Sequence, residues 1–136
     1  MLDSITAAFA GRLPDTLGIR FLEISRDRVV AELDAVAAVS TADGRIHGGA
    51  VMALADTAGA VGGFAVLPKG AVGTTTLESK SNFFATVREG VVRAESVPLH
   101  VGRRTSVWQT RVTGPDGRLL ALVTQTQMVL MPEGRD

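Results

Sequence analysis

The chain has 136 residues, a length that fits one domain with its own hydrophobic core. Apolar residues make up 46% of the sequence, and 14 basic and 14 acidic side chains give a formal net charge of zero, which argues against disorder and against nucleic-acid partners. Because cysteine is absent and only two histidines are present, disulfides, a cysteine nucleophile and a histidine-rich metal centre are excluded, and we expect no metal.

The beginning of the chain has a pattern typical of a short helix followed by strands. Apolar residues recur on one helical face between positions 2 and 9, so we expect a helix within residues 1–14 that Pro14 ends. The first ten residues contain no basic side chain, which argues against a secretory signal peptide and favours a cytoplasmic protein. Two strands are expected next, over residues 19–24 and 28–33.

The longest apolar stretch, residues 48–67, predicts a long central helix. Its length approaches that of a membrane span. It nevertheless carries Asp56 near its middle and five glycines, which favour a helix buried in protein, so we expect no membrane partner. Pro68 and Gly70 end the helix.

The rest of the chain is predicted to form strands. They are expected over residues 71–84, 91–97, 105–113 and 118–130. The sequence Gly-Pro-Asp-Gly at 114–117 is a strong hairpin signal between the last two. Since helices and strands do not alternate, the fold class is α+β, with an antiparallel sheet curled around the central helix. A single chain cannot cover so apolar a helix on every side, so we expect a dimer.

The start of the central helix has features of an oxyanion site. Gly48 and Gly49 let a ligand approach the backbone closely, and the N–H groups there lie unpaired at the positive end of the helix dipole. Such groups suit an anion, or an oxygen that becomes anionic in a transition state. His47 either orients a substrate carbonyl or fixes the loop through a backbone bond. The alternative interpretation is an ordinary glycine-containing loop that leads into a helix.

Asp56 is the second candidate for chemistry, because no residue three or four positions away on the helix can pair with a carboxylate. A buried carboxylate without a partner is costly. We therefore expect either catalysis or a hydrogen bond to another subunit. Gly48 and Asp56 lie about 12 Å apart along a helix that rises about 1.5 Å per residue, too far to act on one carbonyl carbon. If both serve one reaction, two antiparallel helices of a dimer must share the site.

Other candidate residues are less specific. Arg103 and Arg104 stand at the start of a strand, where they can bind phosphate or form ordinary solvated surface. Arg88 is a weaker candidate of the same kind. Phe83 and Phe84 are expected to line the core or a ligand pocket.

Two motifs together resemble a known family. His-Gly-Gly at 47–49, followed by Leu-Ala-Asp at 54–56, resembles the signature of hotdog-fold thioesterases of the phenylacetyl-CoA and 4-hydroxybenzoyl-CoA type. The likeness extends through strand motifs and covers roughly residues 15–130; these motifs lie at 82–90, 92–95 and 100–103. The resemblance implies a hotdog fold, in which a five- or six-stranded antiparallel sheet wraps one long helix, and homodimers that pair into tetramers.

The resemblance also implies roles for particular residues. Asp56 matches the acid that acts as nucleophile or general base, Gly48 matches the backbone donor to the thioester oxygen, and His47 matches the histidine beside it. Thr41 occupies the position of an Asn or Gln that places the water or carbonyl, and Thr75 matches a hydroxyl near the water. Coenzyme A would enter only as part of the substrate, with no other cofactor.

The implied activity is metal-independent hydrolysis of an aryl- or medium-chain acyl-CoA, with the coenzyme A phosphates near Arg103 and Arg104. The acyl group stays open, because the later strands are closer to the hydroxybenzoyl-CoA branch, which uses Glu where this chain has Asp56. Two alternatives are a hydratase or dehydratase of acyl thioesters on the same fold and a non-catalytic acyl-CoA binding module.

Overall fold

A computed structural model describes residues 1–134 of the chain. Within these residues the regular structure consists mainly of three α-helices and six strands. The helices are α1 (Leu2–Ala8), α2 (Leu13–Thr16) and α3 (Gly48–Ala65), and the strands are β1 (Arg20–Ile24), β2 (Val29–Asp34), β3 (Gly73–Phe83), β4 (Val91–Val101), β5 (Thr105–Thr113) and β6 (Leu119–Leu130). A 3₁₀ turn over Ala37–Val39 precedes the loop that leads into α3.

The six strands form one antiparallel sheet in the order β1-β2-β4-β5-β6-β3. Strand β3 lies at one edge and pairs along its whole length with β6, the last strand of the chain. Helix α3 lies against one face of this sheet and contacts all six strands. The predicted α+β architecture, with an antiparallel sheet around a single long helix, is therefore confirmed.

Apolar side chains from α3 and the facing strands form the core. Leu54 of α3, Leu33 of β2 and Leu120 of β6 are almost completely buried. Burial of a side chain of this kind stabilises a fold by about 1.5–3 kcal/mol relative to exposure. The side of α3 that faces away from the sheet is different, since Met52 and Phe64 are 41% and 45% exposed. Part of the apolar helix surface thus stays uncovered in a single chain, as expected.

Three glycines bring α3 unusually close to the sheet. Each lies under a large side chain of β5 or β6, and a Cβ atom at Gly62 would stand 2.6 Å from the Trp108 ring. The three contacts are Gly59 with Gln125, Gly62 with Trp108, and Gly63 with Gln127. Because real Cβ contacts are never that short, these positions require glycine for packing.

The N-terminal segment forms two helices, where the sequence predicted one that ends at Pro14. Helix α1 stops at Ala8, and α2 begins at Leu13 with Pro14 in its first turn. The physical reason is that the N–H groups in the first turn of a helix have no partner within the helix, so a proline there loses no hydrogen bond. Its fixed φ angle also suits that turn. Proline here starts a helix rather than ending one.

Strand β4 is longer than predicted and continues through Pro98 to Val101. Its pairing with β2 reaches only to Ser96, and a register shift follows between Pro98 and His100. The missing N–H of Pro98 therefore costs no hydrogen bond to β2, because the pairing between β4 and β2 ends at Ser96. Proline is tolerated in strands at such edge and bulge positions.

The described helices include none with the length and hydropathy that a bilayer crossing requires.

Candidate active site

The first turn of α3 has one backbone N–H without an acceptor among the described residues. His47 caps the helix, and its Nδ1 atom accepts the N–H of Gly49 at 2.8 Å. The carbonyl of His47 accepts the N–H groups of Ala50 and Val51. Among residues 1–134, the N–H of Gly48 has no acceptor. Of the two glycines predicted to form an oxyanion site, only Gly48 has an N–H available for a ligand, because the His47 ring already occupies that of Gly49.

The cap also fixes the chemistry of the His47 ring. A neutral imidazole that accepts a hydrogen bond at Nδ1 carries its proton at Nε2. The His47 side chain is exposed, so its Nε2–H can reach a ligand at the helix start. Gly49 is needed for this arrangement, because a Cβ there would stand 2.9 Å from Nδ1 of His47. Both roles proposed for His47 from the sequence, fixing the loop and orienting a carbonyl, are compatible with this geometry.

Phe83 closes one side of the helix start. Its ring atoms lie 3.5 and 3.6 Å from the position that a Cβ on Gly48 would take, an ordinary van der Waals contact. Phe83 is the last residue of β3 and is half exposed. Phe84, which follows it, is also exposed. The structure thus places the Phe83 ring beside Gly48 at the start of α3, half exposed rather than in the core.

The loop before His47 holds its own polar groups together. The hydroxyl of Thr41 lies against the Asp43 carboxylate and 3.2 Å from the Arg45 carbonyl. This hydroxyl, the backbone N–H of Arg45 and the nearby positive charges of Arg45 and Arg88 lower the pKa of Asp43. Thr41 therefore donates its hydroxyl proton to an acceptor in the same loop. The family resemblance implied instead that this residue places the water or the substrate carbonyl.

Arg88 braces the same loop from outside. Its guanidinium donates a hydrogen bond to the backbone carbonyl of Asp43 and packs beside Gly44. The sequence suggested Arg88 as a phosphate ligand, and the structure shows that part of its hydrogen-bonding capacity serves the loop that positions His47.

Asp56 has partners that lie on the sheet rather than on its own helix. Its Oδ1 atom accepts from the Thr76 hydroxyl at 3.3 Å and from Nε2 of Gln125 at 3.4 Å. Nε2 of Gln125 also donates to the backbone carbonyl of Asp56 at 3.2 Å. Within the described residues, Oδ2 has no donor, and it is not among the buried unpaired atoms. One carboxylate oxygen is thus anchored and the other is open.

The hydroxyl near Asp56 comes from Thr76, whereas the sequence predicted Thr75. The two residues point to opposite faces of β3, because side chains alternate along a strand. Thr75 is exposed and paired with Met128, whereas Thr76 faces α3 and is paired with Gln127. This prediction was wrong by one position, since the sequence does not reveal which alternate residues of a threonine run face the helix.

Sequence reasoning also missed Gln125 and Gln127. Both are 1% exposed and lie on β6, a strand that is otherwise apolar where it faces α3. A signal was present in the sequence, since four consecutive polar residues, Thr-Gln-Thr-Gln at 124–127, interrupt an apolar strand. Buried amides need partners, and that requirement points to a polar site on the helix.

Two pockets border the candidate residues. One of about 270 Å³ lies beside His47, and its lining is apolar apart from His47 and Ser40. It is formed by α2, the 3₁₀ turn and α3, with Leu13, Leu17, Val39, Ala50 and Ala53 among its walls. A second pocket of about 320 Å³ lies beside the exposed Arg103 and Arg104 and is completed by residues 128–134. The first suits an apolar group and the second an anion.

The chain alone does not bring His47 and Asp56 together. Both belong to one helix, where Gly48 and Asp56 are separated by about 12 Å at about 1.5 Å per residue. Ala60 and Phe64 lie on the outward side of α3, whereas Asp56 lies at the margin of the helix–sheet interface, half-buried beside Thr76 and Gln125. A reaction centre that uses both groups requires a second copy of the chain.

A long helix on an antiparallel sheet, with a free backbone donor at the helix start and an acid in the helix, is the arrangement of a hotdog-fold hydrolase. The family model for the thioesterase superfamily matches residues 43–121, more than half of the chain, so the chain belongs to this superfamily. Its members hydrolyse thioesters, and this activity is favoured over the hydratase and the binding module considered from the sequence.

Particular relatives agree with this assignment. The chain is 33% identical over 129 residues to the 1,4-dihydroxy-2-naphthoyl-CoA hydrolase of Escherichia coli K12, covering 95% of this chain and 94% of that protein. The structure of a mutant of thioesterase PA1618 from Pseudomonas aeruginosa matches with a TM-score of 0.90 at 28% identity, covering 96% and 94% of the two chains. Thioesterase HI1161 from Haemophilus influenzae matches with a TM-score of 0.91 at 26% identity, covering 99% and 95%.

Proposed function

We propose that this protein hydrolyses an acyl-CoA thioester at a site shared between two copies of the chain, with Asp56 as the catalytic carboxylate. The observation that carries the proposal is the state of Asp56, whose Oδ1 is anchored by two donors while Oδ2 is open. A carboxylate held in this way can take a proton from water, or attack a carbonyl carbon, without first losing its orientation.

The second copy supplies the other half of the site. In an antiparallel pair of α3 helices, the Gly48 end of one helix lies beside Asp56 of the other. The exposed Met52 and Phe64 on the outward side of α3 and the free edge of β3 are surfaces that such a pairing would cover. Association of two such dimers into a tetramer, which the resemblance implies, is part of the same proposal.

The chemistry follows from the donors and the acid. The thioester oxygen accepts the N–H of Gly48 at the positive end of the α3 dipole, and Nε2–H of His47 supplies a second donor. Asp56 of the facing subunit removes a proton from water as the water attacks the carbonyl carbon, or attacks it directly and is released by water. The carbon–sulfur bond breaks, coenzyme A leaves as the thiolate and the acyl group leaves as the free acid.

We assign the activation of water to the Asp56 carboxylate, without a metal, because this carboxylate already has the fixed geometry that general-base catalysis needs.

The pockets support a substrate class. The apolar pocket of about 270 Å³ beside His47 suits an aryl or medium-chain acyl group. Arg103 and Arg104 offer the guanidinium groups that phosphates of coenzyme A prefer. Because the E. coli relative is named for a naphthoyl-CoA substrate, a fused aromatic acyl group belongs in the first panel of substrates.

A thiol-trapping dye assay over aryl- and aliphatic acyl-CoAs tests the proposal. We expect release of free coenzyme A by the native protein and a fall of about 10²-fold or more in kcat for Asp56→Asn. Asp27→Asn, in the exposed turn between β1 and β2, is the matched control and should be fully active. Near-native turnover by the Asp56→Asn variant would refute the assignment.

A further inference from the structure

Two buried glutamines on β6 point at the part of α3 that carries Asp56. Gln125 and Gln127 are each 1% exposed, and each occupies space that a glycine of α3 leaves open. A buried amide is costly unless its donors and acceptors are satisfied. Two such amides in an otherwise apolar helix–sheet interface therefore indicate that they serve a polar group nearby.

The amide of Gln127 reaches Asp56 through one hydroxyl. Nε2 of Gln127 lies 2.7 Å from Oγ1 of Thr76, and Oγ1 of Thr76 lies 3.3 Å from Oδ1 of Asp56. Thr76 and Gln127 are direct partners in the β3–β6 register, so their side chains meet on the same face of the sheet. Gln125 approaches Asp56 independently, through its own Nε2 atom.

The direction of these hydrogen bonds is fixed by the chemistry of the groups. The amide nitrogen of Gln127 can only donate, so Thr76 accepts from it and keeps its single hydroxyl proton for another acceptor. The acceptor within reach is Oδ1 of Asp56. Oε1 of Gln127, which can only accept, lies 3.2 Å from the Thr74 hydroxyl, whose single proton it shares with the Met128 carbonyl at 2.9 Å.

We propose that Gln127 is a positioning residue, which acts through the Thr76 hydroxyl to hold Oδ1 of Asp56 and so directs Oδ2 toward the reacting water. The proposal rests on the proposed role of Asp56 and adds a residue that does not touch the substrate. Without the Gln127 amide, the Thr76 hydroxyl is free to rotate toward other acceptors, and Asp56 loses a donor that fixes its orientation.

A double-mutant cycle tests this role. Thr76→Val removes the hydroxyl at constant shape, Thr76→Ser keeps it, and Gln127→Met removes the amide. We expect about a tenfold loss of kcat with unchanged KM for Thr76→Val, a smaller loss for Gln127→Met, and near-native kcat for Thr76→Ser. Because Gln127 acts through Thr76, the double variant should be no slower than Thr76→Val alone.

A matched control separates positioning from general loss of packing. Thr110 donates to Ser96 at 3.0 Å in a hydroxyl pair that is completely buried elsewhere in the sheet. Thr110→Val should lower the melting temperature, as we expect of the substitutions at buried Gln127 and half-buried Thr76, without changing kcat. If Gln127→Met does not fold, Gln127→Leu takes its place in the cycle.

The outcomes are distinct from those for Asp56 itself. Losses in kcat that multiply in the double variant, a native kcat for the Gln127 variants, or a change in KM alone would each overturn the positioning role. A native rate for Asp56→Asn, measured in the same assay, overturns the proposed function instead. The predicted non-additive loss, together with a native rate for Thr110→Val, supports the positioning role.

Discussion

At the scale of single residues, the two adjacent glycines at the start of α3 differ in the hydrogen bonds of their N–H groups. His47 uses Nδ1 to cap α3 through Gly49, which leaves Gly48 with the free N–H. The sequence pattern of two adjacent glycines suggested two equivalent donors. The structure shows that they differ, because Gly49 gives the ring room to cap the helix through its N–H, whereas the N–H of Gly48 has no acceptor among the described residues.

Proline at position 48 tests the free donor with little other change. Proline is well tolerated at the first position of a helix, and the extended backbone of His47 before it, with ψ of 134°, is compatible with a following proline. We expect Gly48→Pro to lower kcat by about 10²–10³-fold, because it removes one oxyanion donor. Gly48→Ala keeps the N–H and meets the Phe83 ring only at 3.5 Å, so it should retain most of the activity. Steady-state kinetics of both folded variants decide the matter, and equal losses would contradict the assignment.

Asp43 gives the loop before His47 a dependence on pH. The Thr41 hydroxyl lowers the pKa of Asp43 below its ordinary value of 3.8. A carboxyl group whose pKa is lower in the folded state stabilises that state above the unfolded pKa, and this contribution is lost as the pH falls through the folded pKa. We expect Asp43→Asn to be less stable than the native protein at pH near 7 and the difference to shrink as the pH falls below 3.8. Thermal melts across this range measure it; a difference that grows in acid would contradict the prediction.

At the scale of elements, the helix and sheet meet through glycine. The five glycines of the 48–67 segment predicted a buried helix, because a bilayer span with that composition and an acid is unfavourable. What the sequence could not show is which strand residue lies over each glycine. That depends on the register of β5 and β6 against α3, which many weak contacts set together.

Gly62 should be the least replaceable of these glycines. A Cβ atom there would lie within 2.8 Å of three atoms of the buried Trp108 ring, which has no room to move. Overpacking of this kind costs about 1–3 kcal/mol, more than alanine gains in helix propensity, about 1 kcal/mol. We therefore expect Gly62→Ala to lower the free energy of unfolding in urea titrations. Gly73→Ala, whose Cβ would meet only Leu130 at 3.9 Å, is the control and should stay close to native stability.

The accuracy of the sequence predictions follows from how local each signal is. The hairpin at 114–117 and the bounds of α3 depend on neighbouring residues and were predicted within two residues. Thr76, Gln125 and Gln127 were missed because their role depends on strands that lie far from Asp56 in the sequence. The prediction at Pro14 was wrong for another reason, since a proline can end one helix or lie in the first turn of the next, and here it starts α2.

At the scale of the whole molecule, the arrangement of α3 leaves one chain with only part of the site that the proposed mechanism requires. The donor and the acid belong to the same helix but are separated by about two turns, or about 12 Å. The outward side of α3 and the edge strand β3 are both uncovered among residues 1–134. A two-fold pairing of chains would cover these two surfaces. It would also bring the Gly48 N–H of each copy close to Asp56 of the other copy.

Mixed dimers of two inactive variants provide the sharpest test of such a shared site. Gly48→Pro subunits lack the donor and Asp56→Asn subunits lack the acid, so each variant alone should be nearly inactive. In a mixed dimer, the donor of the Asp56→Asn subunit faces the acid of the Gly48→Pro subunit, and one of the two sites is intact. After unfolding and joint refolding of equal amounts, about half the dimers are mixed, so we expect about a quarter of native activity.

The control for this experiment pairs Asp56→Asn with the double variant that carries both substitutions. No combination of these two chains contains an intact shared site, so activity should stay at the level of the single variants after the same refolding. Recovery in the first mixture but not in the second locates donor and acid on different subunits. If both mixtures stay inactive while refolded native protein regains its rate, the donor and the acid do not meet across a subunit interface, because a site within one chain cannot be restored by exchange of partners.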